Sequence, residues 1–504
     1  MSDRDETIAR DIETLRRLGY AQELARRMSQ FSNFAISFSI ICILAGCVTS
    51  FHLGFCSVGG AAIGLGWPLV CCFSLIVALT MGHVASAFPT AGGIYHWASI
   101  LGGKGWGWAA AWFNLAGLIT VLAAINVGTF EFIAGALAPE LREWEIIVVL
   151  AITLSQAGFN HLGIRLTSIL TDFSGYWILV VATLLTVCLL IYAPSFEPVR
   201  LITFANYSGL PDSASAVWPA TANLPLLFAL GFLLPAYTVT GFDASAHTSE
   251  ETIGAAENVP RGIVRSVVVS GLAGWVMLCS FVLAMPDMDE AARQGSNVFY
   301  WMMNEVLPGG LARALFVSIA IAQYLCGLAT VTSASRMVYA FARDRGLPFS
   351  TQLSRVSERF RTPAHAIWTV AAAAVLFTVY TPIYSTITVV CVIFLYISYA
   401  LPTTLGLFAY GRSWTRLGPW HIGSWYKPLC VISVLFCLLL VVLGMQPPNE
   451  KAVLVVAVMV LVLLVVWTTM GRHYFPGPPE GVLQIHDDDA LRASSSSSAQ
   501  QPRT

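Results

Sequence analysis

The stretch from Gly231 to Gly262, GFLLPAYTVTGFDASAHTSEETIGAAENVPRG, begins as an apolar run and then departs from that pattern. Pro235, Gly241 and Asp243 stand where an uninterrupted membrane helix would carry leucine, isoleucine or valine. A carboxylate near the bilayer centre costs at least about 2.5–3.5 kcal/mol, so it requires a partner, a proton or a water-filled cavity. Backbone that leaves the helix at this depth is tolerated only where it lines a cavity. The stretch therefore predicts a discontinuous helix with an acid at its interruption, which is an arrangement that transport sites use.

The composition of the whole chain indicates a membrane protein. Hydrophobic residues make up 56% of the 504 positions and charged residues only 11%, and the mean hydropathy is +0.71. A soluble chain of this length would carry about 25% charged residues. The eleven cysteines lie mostly within apolar runs and form no CxxC pattern, so we expect small buried hydrophobes. No disulfide framework, metal site or cofactor is predicted.

Twelve apolar runs are long enough to cross a bilayer, which requires roughly 17–25 residues each. They fall at about 32–54, 60–86, 106–136, 144–161, 170–193, 223–245, 262–285, 311–340, 364–381, 384–411, 426–446 and 452–471. Most of the 27 basic residues lie in segments that would share the side of the N-terminus, as the positive-inside rule requires of the cytoplasmic side. We therefore expect an all-α polytopic membrane protein with twelve transmembrane helices and both termini in the cytoplasm.

The segments outside the spans differ in composition. Residues 1–30 are polar and arginine-rich, without the apolar core of a signal peptide, and are predicted to form a cytoplasmic arm. The spacing of the apolar residues in this arm allows a short amphipathic helix, although a solvated arm is an equal alternative. Residues 31–411 would form a ten-helix core, and 412–472 would add two helices. Residues 473–504 end in a serine-rich low-complexity sequence and are predicted to be a disordered cytoplasmic tail.

The first span contains the small residues Ala45, Gly46 and Cys47 in mid-membrane. Small residues in a span usually allow close packing of helices. The alternative is a second helix interruption, in which freed amides at the start of the outer half-helix would face an anionic ligand. The residues themselves leave both interpretations open.

Several motifs, taken together and in order, resemble those of a known family. They are FSNFAISFSI (31–40), SAFPTAGGIYHW (86–97), TGFDASAHTSEET (240–252), NVPRGI (258–263), SRMVYAFARDRGLP (335–348) and RHYFPGP (472–478). In this order and spacing they resemble the amino acid–polyamine–organocation permeases, specifically the amino acid/choline branch with fungal GABA permeases and plant bidirectional amino acid transporters. The resemblance covers roughly residues 12 to 476.

The resemblance implies an inverted repeat of five plus five helices, with two further helices outside it. The first and sixth spans would both be broken at the midplane, which favours an interruption at Ala45–Cys47. The substrate's α-carboxylate would lie on backbone amides of the first interruption, and its ammonium on carbonyls of both. The substrate-binding residues implied in this way are Ile43, Ala45, Gly46, Cys47, Thr49, Tyr237, Thr240 and Gly241.

Tyr237 and Asp243 receive more specific roles from the resemblance. Tyr237 matches the position of an aromatic lid over the substrate, although a packing role is the alternative. Asp243 matches an acidic position after the second interruption. As a buried acid it is expected to have a raised pKa and to be a candidate proton carrier, the alternative being a structural hydrogen-bonding role.

Other candidate coupling and gating residues lie in the eighth span and in the loop after the sixth. Thr330, Thr332 and Ser333 match a sodium site of sodium-coupled relatives, but hydroxyls in a helix more often bond their own backbone. Glu250 or Glu251 is expected to pair with Arg336 or Arg343 and hold the cytoplasmic gate shut. Proton coupling, sodium coupling and simple exchange all remain open.

We therefore expect a secondary carrier or exchanger of an amino acid or related amine, such as GABA or choline, in the plasma membrane. The alternatives are a transport-inactive amino acid sensor and a polyamine carrier. An enzyme is disfavoured because no metal spacing such as HExxH is present. A channel is disfavoured because rings of like charge are absent from the sequence. The expected partners are the small substrate, the lipid bilayer and a co-transported proton or sodium ion, and no nucleic acid.

Overall fold

The computed structural model describes residues 3–212, 215–380 and 384–479, which are largely helical. The α-helices are α1 (Asp3–Arg17), α2 (Gln30–Ile41), α3 (Ile43–Thr49), α4 (Phe51–Val58), α5 (Trp67–Ala87), α6 (Ile94–Gly102), α7 (Lys104–Ala136), α8 (Glu145–His161), α9 (Ile164–Tyr192), α10 (Leu224–Leu230), α11 (Leu233–Thr238), α12 (Ala244–His247), α13 (Ala255–Ala284), α14 (Met288–Arg293), α15 (Val298–Val306), α16 (Gly309–Arg343), α17 (Ser350–Leu353), α18 (Ala364–Tyr380), α19 (Tyr384–Ala409), α20 (Tyr426–Gly444), α21 (Glu450–Val466) and α22 (Arg472–Tyr474).

Each of the twelve apolar runs contains helix, so the predicted all-α class is confirmed. Nine helical segments of the described residues are long and apolar enough to cross a membrane, and Leu224–Thr238 and Ala364–Val379 are shorter apolar helices. The fourth run corresponds to α8, which has 17 residues. The first and sixth runs are each divided into several short helices, whereas α7, α9, α13 and α16 are continuous.

The first span is interrupted at Cys42, not at Ala45–Cys47 as predicted. Cys42 has a φ of 28° and separates α2 from α3. The amides of Ala45 and Gly46 already donate to the carbonyl of Cys42, at 2.8 and 2.9 Å. These two residues therefore belong to the first turn of α3, and their amides are not free. The first amides of α3 without a carbonyl one turn earlier are those of Ile43 and Leu44.

The sixth span is interrupted between Thr238 and Ala244, around the predicted position. α11 ends at Thr238, and Gly241 has a φ of +82°. A Cβ atom at Gly241 would also lie 2.4 Å from Ile40 Cγ2 at the end of α2. Glycine is required here for its backbone conformation and because the two chains approach so closely.

The N-terminal arm and the segment around Phe475 pack onto one side of the core, which we call the arm side. In the arm, Leu15, Leu18 and Leu24 are buried, and Met28 forms an isolated bridge with Thr252. The N-terminal arm thus consists of helix α1 followed by an extended segment that packs against the core as far as Met28. Phe475 is also buried, so the packed part of the chain extends past residue 473. The predicted tail from 480 to 504 lies outside the described residues.

Candidate functional site

The two interrupted spans cross each other directly. A Cβ atom at Gly46 would lie 2.7 Å from both Cγ2 and Oγ1 of Thr238 and 2.8 Å from its Cα. Further toward the arm side, Ser37 Oγ donates to the carbonyl of Phe242 at 2.8 Å. The backbone of each interruption is therefore held against the other span, and only a residue without a side chain fits at Gly46.

Replacing Gly46 with alanine is expected to push α3 away from α11, because the obstructing atoms include backbone. Overpacking of this kind costs about 1–3 kcal/mol. Thermal unfolding in detergent should show a lowered melting temperature, together with reduced transport. The matched control is Gly158→Ala in α8, where nothing lies within 4 Å of the added Cβ. An unchanged melting temperature in the Gly46 variant would contradict the close crossing.

Helix α16 supports the interruption of the first span. Cys326 Sγ donates to the carbonyl of Ile40 at 3.3 Å, and Cys42 Sγ donates to the carbonyl of Ala322 at 3.7 Å. These contacts satisfy a carbonyl that the end of α2 leaves without a helical amide. The interruption of the first span is thus stabilised by hydrogen bonds with α16.

The predicted substrate residues of α3 divide into two groups. Gly46 and Cys47 are buried, Gly46 at the helix crossing. Ala45 keeps 8% of its surface exposed within the core, and Thr49, one turn later, is half-buried and donates to the carbonyl of Ala45 at 2.8 Å. On the sixth span, Tyr237 likewise keeps 8% exposure, and Thr240 is buried beside Gly241. Ala45, Thr49 and Tyr237 thus keep access to open space.

Asp243 is fully buried and is surrounded by hydrogen-bond partners. Its Oδ1 accepts from Tyr399 Oη at 2.8 Å, and its Oδ2 accepts from Asn114 Nδ2 at 2.9 Å. Tyr399 Oη also accepts from the amide of Gly241 at 3.1 Å, so α19 joins the acid to the interruption. The sequence left open a proton carrier with a raised pKa and a structural hydrogen-bonding role, and the donors observed here stabilise the carboxylate form.

His247 completes the environment of Asp243. Its Nε2 lies 3.2 Å from Asp243 Oδ2, and its Nδ1 lies 3.2 Å from the carbonyl of Ala91. A carbonyl oxygen accepts only, so Nδ1 must carry a proton to bond it. The contact between Nε2 and the carboxylate then requires a second proton, either on the imidazole or on the carboxyl group. His247 therefore links the carboxylate of Asp243 to the backbone of Ala91.

Two ion pairs lie on the arm side of the site. Arg336 donates from Nε and Nη2 to the two oxygens of Glu251, at 2.9 and 3.1 Å, and both side chains are fully buried. Arg343 donates to both oxygens of Glu250, at 2.9 and 3.0 Å. Burial acts to raise the pKa of the Glu250 carboxyl, but the Arg343 guanidinium holds that pKa below its usual range. Two bidentate arginine–carboxylate pairs thus connect α16 to the end of the sixth span.

The N-terminal arm covers these ion pairs. Arg26 donates to the carbonyls of Ser249 and Thr252, and its Nη1 lies 3.6 Å from Asp11. Asp11 in turn accepts from the amide of Gly254 at 2.7 Å. Burial raises the pKa of the Asp11 carboxyl despite the opposing effect of Arg26. The arm therefore reinforces the closed state of this side.

A cavity opens on the opposite side. Its volume is about 220 Å³, and its lining includes Ser50, His52, Leu53, Val217, Trp218 and Asn449. Ser50 directly follows α3, so the cavity reaches the end of that helix. The buried ion pairs and this cavity thus lie on opposite faces of the protein.

Comparison with known proteins identifies the family. The family model described as "Amino acid permease" matches residues 28–469. The chain belongs to this amino acid permease family. It is 30% identical to amino-acid permease BAT1 of Arabidopsis thaliana, over 93% of this chain and 96% of that protein. It is also 30% identical to the BAT1 homolog of Oryza sativa subsp. japonica, covering 92% and 94% of the two chains. The identity with the GABA-specific permease of Saccharomyces cerevisiae is 27%, covering 96% and 88%.

These relatives are permeases. The comparison therefore confirms the predicted family and the prediction that the protein is a transporter and not an enzyme. The permease is an integral membrane protein, and its family transports amino acids.

The hydroxyls of the eighth span serve the permease mainly within its own helices. Thr330 Oγ1 donates to the carbonyl of Cys326 at 2.9 Å. Thr332 Oγ1 lies 2.7 Å from Asn160 Oδ1, to which it donates. Ser333 Oγ is buried without a hydrogen-bond partner among the described residues. Two of the three hydroxyls predicted for a sodium site are thus already bonded to protein acceptors.

Sequence reasoning missed His247, Asn114 and Tyr399. His247 had a usable signal, because it follows Asp243 by four residues and therefore faces the same side of a helix. Asn114 and Tyr399 come from α7 and α19, far away in the sequence, and only the fold brings them to the acid. The ion pairs of Glu250 and Arg336 were anticipated as a set, and the structure pairs Glu250 with Arg343 and Arg336 with Glu251.

Proposed function

We propose that this permease is a secondary carrier of an amino acid or related amine that works by alternating access. The observation that carries the proposal is the contact between two interrupted spans, one at Cys42 and one around Gly241. Discontinuous helices place free backbone groups at the membrane midplane, where a zwitterionic substrate needs them. The names of the relatives support amino acids or GABA as the substrate class.

The substrate would lie between the two interruptions. Its carboxylate would face the first turn of the outer half of the first span, where the amides of Ile43 and Leu44 precede the first helical hydrogen bond. This places the anion two to three residues earlier than the predicted amides of Ala45, Gly46 and Cys47. Its ammonium would face the carbonyls around Thr240 and Gly241, and Tyr237 would cover the substrate. Thr49 would lie at the outer edge.

The coupling ion we propose is a proton, carried by Asp243 together with His247. The two side chains are fully buried and lie 3.2 Å apart, beside the interruption that the substrate would contact, and the coupled proton would be shared between them. Tyr399 connects the carboxylate of Asp243 to the amide of Gly241 by two hydrogen bonds. A change in the charge of Asp243 would therefore alter the hydrogen bonding of the interrupted backbone. Sodium is the alternative ion, because Thr330 and Thr332 donate their hydroxyl hydrogens to protein oxygens and keep their own oxygens free to bind a cation.

We infer that the described conformation is closed on the arm side, which the two buried ion pairs support. The change to the opposite state would require the Arg336–Glu251 and Arg343–Glu250 pairs to separate and the arm to move. With the arginine-rich arm on the cytoplasmic side, the closed side would be the cytoplasmic one. Both termini would then be cytoplasmic.

Uptake and counterflow in proteoliposomes test the proposal. A panel of amino acids, GABA, choline and polyamines is offered, with pH and sodium gradients imposed separately. We expect uptake of at least one amino acid or GABA, accelerated by an inward proton gradient and indifferent to sodium. Binding without any transport would favour a sensor, and transport of polyamines alone would favour a polyamine carrier. Dependence on sodium alone would overturn the proposed coupling.

A further inference from the structure

The side chain of Gln323 is unusual among the buried amides of this protein. It is 1% exposed, and neither Oε1 nor Nε2 has a hydrogen-bond partner. Among the described residues, it is the only buried carboxamide with both polar atoms unpartnered. Burying an amide without hydrogen bonds is costly, so a buried group of this kind requires an explanation. Gln323 occupies the fifteenth position of the 35-residue helix α16, close to its centre.

A contrast is offered by Gln156, an equally buried glutamine on α8. Its Nε2 donates to Asn126 Oδ1 and to the carbonyl of Tyr324, each at 3.0 Å. Its Oε1 accepts from Asn126 Nδ2 at 3.0 Å. The buried side chain of Gln156 is thus fully hydrogen-bonded by protein atoms. One of them is the carbonyl oxygen of Tyr324, the residue that follows Gln323. The isolation of Gln323 is therefore local to the place where its side chain lies.

The neighbouring residues on α16 show where Gln323 points. Cys326 bonds the carbonyl of Ile40 at the first interruption, and a Cβ atom at Gly327 would lie 2.3 Å from Gln156 Nε2 on α8 and 2.7 Å from Asn126 Oδ1 on α7. At about 100° per residue, Gln323 lies angularly between Cys326 and Gly327. Its side chain is therefore directed to the junction where the first span, α7 and α8 meet α16. Ala45 on α3 and Ile125 on α7 keep 8% and 7% exposure.

We propose that Gln323 binds the polar end of the substrate's side chain and selects amino acids whose side chains carry an uncharged hydrogen-bonding group. The inference rests on the proposed function, since it assumes a substrate held at the two interruptions. A primary amide or hydroxyl on the substrate would meet both the donor and the acceptor of Gln323. A site built around such a group discriminates strongly against analogues that lack it, because its own polar atoms are then left unpaired.

The absence of charge at this junction defines the substrate class further. Helix α3 carries no charged residue, α7 carries none between Lys104 and Glu131, and α16 carries none between Arg313 and Arg336. A charged substrate side chain would lose its water without gaining a counter-ion. The junction therefore favours side chains such as those of glutamine, asparagine, serine and threonine over acidic, basic and purely apolar ones.

The test compares glutamine with methionine, a substrate of similar length that lacks the amide. Competitive uptake in proteoliposomes gives the ratio of kcat/KM for the two substrates in the wild type, in Gln323→Met and in the control Gln156→Met. We expect the wild type to prefer glutamine by about tenfold or more. That preference should be lost in Gln323→Met and retained in Gln156→Met. Thermal stabilisation of the purified protein by each substrate provides the same comparison for a variant that binds but transports slowly.

Each outcome separates the two proposals. Uptake of amino acids with no wild-type preference for glutamine overturns the role of Gln323 and leaves the carrier function standing. The same holds if Gln323→Met lowers glutamine and methionine uptake equally, as expected if the side chain only binds a structural water. Failure of the wild type to transport or bind any amino acid overturns both proposals.

Discussion

Replacing Asp243 with asparagine is expected to abolish proton-driven accumulation of substrate while leaving substrate exchange in place. Asparagine retains one oxygen, which can accept from Asn114 and His247 as the Oδ2 of Asp243 does. Its amide group can donate to Tyr399 Oη, which still accepts from the amide of Gly241 but loses the acceptor of its own hydroxyl hydrogen. The hydrogen bonds of Asn114, His247 and Gly241 around the interruption are thus preserved, and the protonatable oxygen is lost.

The size of the effect follows from the gradient. Under an imposed difference of two pH units, one coupled proton supports an accumulation of up to about 100-fold, since each pH unit corresponds to 1.36 kcal/mol. The variant should reach no more than the external concentration, yet counterflow against preloaded substrate should continue. The measurement is the internal-to-external substrate ratio at steady state in proteoliposomes.

Two further variants sharpen this test. Asp172→Asn is the matched control, because Asp172 is a second acid within a span, with its Oδ2 accepting from Ser32 Oγ at 3.0 Å. It should accumulate substrate as the wild type does. Asp243→Ala should fail in both assays, since it leaves buried donors unpaired at about 1–3 kcal/mol each. Undiminished accumulation by Asp243→Asn would show that the proton takes another route.

The interruption of the sixth span was predictable from the sequence, but that of the first span was misplaced. Gly241 and Asp243 break an apolar run with a flexible residue and an acid, and both have physical consequences that can be read from their type. Cys42 gives no such signal, because a positive φ is uncommon for any residue other than glycine. Its conformation depends on contacts with α16 that only the folded chain provides. The prediction was placed three to five positions later because the residues there are small. The structure shows a different reason for glycine at position 46, which is the close approach of Thr238.

The candidate site illustrates the same division between local and long-range information. The type and depth of Asp243 indicated a functional acid, but its partners Asn114 and Tyr399 lie on helices 129 and 156 positions away. Gln323 stands in an apolar run, where a single amide would ordinarily be satisfied by a neighbouring helix. Its significance depends on the missing partners, which are a property of the packed structure. The sequence thus shows which polar residues lie within the spans. It does not show which of their hydrogen bonds are formed in the folded protein.

Removing Arg336 alone is expected to have the largest effect on stability of any single substitution on the arm side. Arg336 and Glu251 are both fully buried and joined by two hydrogen bonds. Arg336→Met would leave the Glu251 carboxylate without its cation, and breaking one partner of a buried pair costs about 3–5 kcal/mol. The melting temperature in detergent and the yield of monodisperse protein should both fall sharply. The matched control is Arg261→Met, whose partner Glu257 lies 3.0 Å away but is about half exposed, so its loss should change stability little.

Double substitutions distinguish a stabilising pair from a gate. Arg336→Met with Glu251→Met should recover most of the lost stability, because no unpaired charge remains. It should still transport poorly if the ion pair is what closes the arm side. The charge exchange Arg336→Glu with Glu251→Arg restores an attractive pair and should restore transport beyond either single variant. If the double methionine variant transported as well as the wild type, the pair would only stabilise the fold, and closure of the arm side would depend on Arg343–Glu250 and on the arm itself.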